Sequence, residues 1–70
     1  MANVEAEMVA NVWKVLVAPG VAVAEGDTLV ILESMKMEIP VVSPQGGTVT
    51  AVNVVEGGVV QEGDIIAVVE

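Results

Sequence analysis

Ile31-Leu32-Glu33-Ser34-Met35-Lys36-Met37-Glu38-Ile39 is nearly palindromic in residue character about its Met35-Lys36 centre. Reading outward, Ser34 meets Met37, Glu33 meets Glu38 and Leu32 meets Ile39. Apolar runs flank the centre, Thr28 to Leu32 on one side and Ile39 to Val42 on the other. Two such runs closing on two residues predict an antiparallel hairpin with a two-residue loop. Lys36 then sits on an exposed tip. The chain has only two basic residues, Lys36 and Lys14, against ten acids. A lone amine on a rigid tip suits a covalent attachment point.

The rest of the composition narrows the classes. Seventy residues make one small domain, and a domain of this size buries only about 60% of its unfolded surface. The chain compensates with 54% hydrophobic residues, chiefly Val, and has a single aromatic, Trp13. β-branched side chains favour the half-buried surface of a sheet, and no window sustains a helical apolar stripe. A net charge of -8 argues against nucleic acid or an anionic membrane as partner and keeps an apolar chain soluble. With no Cys, neither a disulfide nor a thiolate metal site can form, and His is missing as well. Mean hydropathy is +0.78, yet Pro, Gly and acids cut every apolar run short of a membrane span of about 18 residues. The first seven residues lack the basic and apolar regions of a signal peptide, so the expected location is cytoplasmic.

The sequence also repeats itself at an offset of 37 residues. Val12, Val15, Val17, Gly20, Val23, Glu25, Gly26, Asp27 and Glu33 meet identical residues at Val49, Val52, Val54, Gly57, Val60, Glu62, Gly63, Asp64 and Glu70. Carried to the ends, the offset lays 1–33 on 38–70 and leaves 34–37 as the link. Each half should hold four strands. In the first these are Glu5–Val9, Val12–Val17, Val21–Val23 and Thr28–Leu32, with a weak break at Ala10-Asn11. In the second they are Glu38–Val42, Thr48–Val55, Val59-Val60 and Ile65–Val69. Gly and Pro turns separate them. The predicted fold is all-β: one domain, 1–70, a flattened barrel or sandwich of antiparallel strands with a quasi-two-fold axis. The lysine tip should lie at the opposite end from the two termini.

Intrinsic catalysis finds little support. Without His or Cys the usual base and the best nucleophile are gone, and Ser34 and Ser43 have no basic partner in the sequence. Glu33 and Glu38 could do acid–base work, but so thin a sandwich leaves no room for a deep pocket of about 300 Å³ or more. The two Glu-Gly-Asp turns offer oxygens, yet lack the alternating acids of a calcium loop. Gly26 and Gly63 instead read as turn glycines, with Asp27 and Asp64 bonding local backbone. No metal site is expected. Trp13 reads as packing in the second strand, and Lys14, on the opposite face, as solvated.

The tip, by contrast, breaks local rules, as functional sites tend to. A two-residue hairpin favours Asn-Gly, because a type I′ turn needs φ > 0 at both central positions, so Met35-Lys36 should be strained. Glu33 facing Glu38 is a like-charge cross-strand pair. Met35 and Met37 put soft apolar side chains on an exposed tip, which suits recognition. An ordinary exposed lysine is protonated at neutral pH, so Lys36 reads as the substrate of another enzyme that presents an activated acyl group.

At these residues the chain resembles the biotinyl/lipoyl carrier domain family over essentially its whole length. Glu33-Ser34-Met35-Lys36-Met37 is similar to the biotinylation motif E-(A/S)-M-K-M. The turns Glu25-Gly26-Asp27 and Glu62-Gly63-Asp64 and the segment Gly46-Gly47-Thr48-Val49 fit the family too. The resemblance implies a flattened barrel of two four-stranded sheets and biotin amide-linked to Lys36. Biotin protein ligase would attach it with ATP, recognising Glu33, Ser34, Met35, Met37 and Glu38. A biotin carboxylase and a carboxyltransferase would then use the tethered ring to move CO₂, and the domain would be a monomeric carrier without catalysis of its own. No room exists between Val12 and Thr28 for the thumb of some bacterial carriers, and Met8-Val9-Ala10-Asn11 replaces the usual Pro-Met-Pro-Gly. The chain thus looks like a small stand-alone biotinylated protein or the C-terminal carrier domain of a larger carboxylase.

Three other readings compete. A lipoyl carrier would share fold and lysine, but such domains usually place Asp and Ala beside it, where this chain has Met on both sides. An unmodified β-sandwich interaction module, or a small acidic metal-binding protein, would have no use for a lysine at the midpoint of the repeat.

Overall fold

The computed structural model describes residues 2–70, which form eight strands and no helix. They are β1 (Ala2–Glu5), β2 (Ala10–Val15), β3 (Ala22–Val23), β4 (Thr28–Ser34), β5 (Met37–Val42), β6 (Gly47–Val52), β7 (Val59–Val60) and β8 (Ile65–Val69). One four-stranded sheet has the order β1-β8-β6-β3 and the other β5-β4-β2-β7. Every pair is antiparallel. Raising each strand number in the first half by four, and lowering each in the second, turns either sheet into the other.

Backbone hydrogen bonds follow the same exchange. Ala6 N–H donates to the Asp64 carbonyl at 2.8 Å, and Ser43 N–H to the Asp27 carbonyl at 2.8 Å. Val12 N–H reaches the Gly58 carbonyl at 2.8 Å, and Val49 N–H that of Val21 at 2.9 Å. Each bond joins the halves, and swapping the halves converts one member of a pair into the other, the pattern of a two-fold rotation. Irregularities are shared as well. Bulges at Trp13 and Leu29 recur at Thr50 and Ile66, 37 residues on.

The core lies between the sheets. Leu29, Val30 and Leu32 of β4 face Val49, Ile66, Ala67 and Val69 of the other sheet, all essentially buried. Burying a side chain the size of Leu or Ile stabilises by about 1.5–3 kcal/mol. The bulges are what let two consecutive residues, Leu29-Val30 and Ile66-Ala67, both turn inward. Ser43, the one buried polar side chain among the described residues, donates its hydroxyl to the Gln45 carbonyl at 2.5 Å.

Some strand limits differ from the expected ones. The first strand is Ala2–Glu5, ending where Glu5–Val9 was predicted to begin. Ala6 leaves the ladder because its N–H and C=O are taken by Asp64 and Gly63 of the turn before β8. Ala10-Asn11, read as a break, opens β2. β6 stops at Val52 and not Val55, since the Val55 carbonyl closes a turn with Gly58 N–H at 3.0 Å. Trp13 and Lys14 do not lie on opposite faces: the bulge turns both outward, and Lys14 Nζ stands 5.6 Å from the Trp13 ring centroid.

The same connections place the tip. Ser43 is bonded to Asp27, just before β4, while Gln45 Nε2 donates to the Val69 carbonyl at 3.4 Å. β4 therefore starts beside the end of β8. Ala2 pairs with Val69, so the first and last of the described strands end there, and β4 runs away from them along a molecule 31 Å long and 17 Å wide.

Candidate functional site

β4 and β5 close on Met35-Lys36 at the far end. The pairing is Ser34 with Met37, Glu33 with Glu38 and Leu32 with Ile39, the register the palindrome predicts. Leu32 is buried and Ile39 packs against the core, so the hairpin's base is anchored two steps below the turn. Above that anchor, exposure rises quickly. Glu33, Lys36 and Glu38 are exposed, Ser34 is half-buried, Met37 is 65% exposed and Met35 92%.

Met35 and Lys36 have φ of 53° and 66°, the only non-glycine residues with positive φ among those described. That is the φ signature of a type I′ turn, made here without the Asn or Gly it favours. Positive φ costs an L-residue roughly 1–2 kcal/mol. The strain accompanies a defined geometry: the right-handed twist of the strands carries into the turn, and Lys36 points outward from a fixed pedestal. Glu33 and Glu38 stand side by side below it, so the amine's surroundings are acidic on the strands and apolar at the two Met side chains.

The Gly-Asp turns sit elsewhere and bond themselves. Gly26 and Gly63 both have φ of 89°, where a Cβ would be strained. Asp27 Oδ2 accepts from Ala24 N–H and Asp64 Oδ2 from Gln61 N–H, each at 2.9 Å. Among the described residues no three acids gather in a way that could hold a metal ion.

Two hollows reach the size for which so thin a sandwich was expected to leave no room. One, of about 320 Å³, opens between edge strands β1 and β5 over Val4, Leu32 and Ile39, with Glu5 and Glu7 at its side. Another, of about 550 Å³, lies beside β7 over Val54, Val55 and Val59. Twisted sheets part at their edges, and the first hollow lies in such a gap. Neither contains an amine or a hydroxyl nucleophile. No helix among the described residues is long and apolar enough to cross a membrane.

One part of the surface went unmarked in the sequence. Trp13 is 42% exposed on the outer face of the sheet that carries the tip, beside Lys14. The available signal was their contrast with Thr50 and Ala51 at the offset of 37.

Comparison with known proteins agrees with this geometry. The family described as biotin-requiring enzyme matches residues 2–69. The chain is 52% identical over 67 residues to the biotinylated protein TB7.3 homolog of Mycobacterium leprae, covering 96% of this chain and 94% of that one. It is 46% identical over 64 residues to the biotin/lipoyl attachment protein of Bacillus subtilis, covering 91% and 88%. Among solved structures it superposes on Kluyveromyces lactis urea carboxylase with a TM-score of 0.92 and 32% identity, covering 99% of this chain and 6% of that one.

Proposed function

The chain belongs to the biotin-requiring enzyme family, and on that premise we propose that Lys36 is the residue on which it carries biotin. It is a biotin carboxyl carrier, not a catalyst on its own, and shares this with relatives that are carriers or carrier parts of carboxylases. The observation that carries the assignment is the tip: one amine, on a two-residue turn at positive φ, held clear of the domain by a core-anchored hairpin.

The residues present fit such a group. Amide formation needs an amine that can enter another enzyme's site, and Lys36 projects at the end of a 31 Å domain with no neighbouring wall. In this proposal a biotin protein ligase takes the proton from Nζ, which attacks the activated acyl carbon; an amide forms and the activating group leaves. Met35 and Met37 offer adaptable apolar contacts on either side of the lysine, and Glu33, Ser34 and Glu38 supply polar ones. Once bound, biotin supplies the ring that accepts and releases CO₂. The protein keeps that ring on a short tether, so its effective concentration at a biotin carboxylase and a carboxyltransferase is high. We assign residues 1–70 to a single carrier domain that is monomeric in isolation. We place its work in the cytoplasm, where the ATP that drives attachment is supplied.

Lys36→Arg tests the assignment. Incubated with biotin protein ligase, biotin and ATP, the variant should take up no biotin. Its thermal midpoint should stay within about 4 °C of the parent, because the side chain is exposed. Undiminished labelling would contradict the assignment, and a collapse in stability would make Lys36 structural.

A further inference from the structure

The two-fold repeat supplies an internal control, because equivalent positions meet the same backbone demands. Trp13 and Thr50 occupy equivalent bulges, and Lys14 and Ala51 follow them. Thr and Ala therefore satisfy the fold at this point, and Trp-Lys exceeds what it needs. The neighbours differ in the same sense. Ile31, Pro40 and Val59 share the outer face with Trp13, where the other sheet has Val68, Asn3 and Ala22. The enriched face belongs to the sheet that carries Lys36.

From this asymmetry we infer that Trp13 and Lys14 form a second contact for the enzyme that modifies Lys36, a biotin protein ligase. This rests on the carrier assignment above. Lys14 pairs with Ile31, three residues from Ser34, so the patch lies about 10 Å from the start of the turn. A partner burying about 800 Å² centred on the tip covers a radius of about 16 Å, which includes it. Charge favours one kind of partner surface: a carboxylate opposite Lys14, cations opposite Glu33 and Glu38, and a flat apolar slot for the indole. The choice of ligase over carboxylase follows from order. A ligase meets the chain before biotin is attached and must recognise it by protein surface alone, whereas later partners can grip the biotin ring.

The test copies one half of the molecule onto the other. Trp13→Thr with Lys14→Ala should raise the ligase's KM for the carrier at least about tenfold, as loss of a buried Trp contact does, with kcat little changed. The mirror variant, Thr50→Trp with Ala51→Lys, should leave KM unchanged. If the first variant does not fold, the parent chain labelled with 5-fluorotryptophan serves, since Trp13 is its only tryptophan. Its single ¹⁹F resonance should change chemical shift when ligase is added, since broadening alone follows from the slower tumbling of any complex. An unmoved resonance, or an unchanged KM, overturns the inference while leaving Lys36 as acceptor. Normal biotinylation with impaired carboxylation also overturns it and gives the face to a carboxylase. Failure of the parent chain to accept biotin would instead overturn the carrier assignment itself.

Discussion

Glu33 and Glu38 face each other across the β4–β5 ladder, one pair below the turn that bears Lys36. Two like charges directly opposite destabilise a ladder, by up to roughly 1 kcal/mol. Glu38→Gln should therefore raise the thermal midpoint by a few degrees at low ionic strength. The gain should shrink as salt screens the parent's repulsion. A variant less stable than the parent at low salt would show that the pair is not repulsive.

Strain in the turn makes a separate prediction. Met35 has φ of 53°, a conformation Asn tolerates better than Met. Met35→Asn should stabilise by about 1 kcal/mol, or 4–8 °C in midpoint for a domain of this size. If Met35 is a ligase contact, as proposed, labelling of Lys36 should fall in the same variant. An unchanged or lower midpoint would mean that the turn stores no strain.

Gly46 and Gly47 are neighbours with opposite tolerances. A Cβ on Gly47 would collide with the Glu70 carbonyl oxygen, whereas one on Gly46 would meet nothing closer than 3.7 Å. Glu70 cannot yield easily, since it exchanges hydrogen bonds with Thr48 at 2.7 and 2.9 Å. Gly47→Ala should cost about 2–3 kcal/mol and Gly46→Ala less than about 0.5 kcal/mol, read by urea unfolding. Equal costs would contradict the close approach.

The parts of the fold that the sequence reveals are those set by local symmetry. Register at the tip follows from the residues flanking Met35-Lys36, because a two-residue loop fixes the pairs below it as far as the bulge at Leu29. The repeat places β3, β4, β7 and β8 close to where they stand. Where local pattern and repeat disagreed, at β1, the repeat was the better guide: the offset lays 38–42 on 1–5, and β1 is Ala2–Glu5. A strand was expected over Glu5–Val9, but Ala6 is held by the turn at Gly63-Asp64. Bulges are harder still. A two-residue period assumes an unbroken ladder, and nothing near Trp13 says that sheet twist will insert an extra residue and bring Lys14 to the same side. The strained geometry of the tip was legible because Met35-Lys36 stands where a hairpin turn favours Asn or Gly, while the Trp13–Lys14 face appears only once the two halves can be overlaid.

The most direct test of Lys36 as the carrier residue is intact mass with peptide mapping after incubation with biotin protein ligase, biotin and ATP. One biotinyl increment, confined to the peptide bearing Lys36, is the expected result. No increment, or one on Lys14 or the chain's amino terminus, would contradict it, and labelling by a lipoate ligase instead would make the chain a lipoyl carrier.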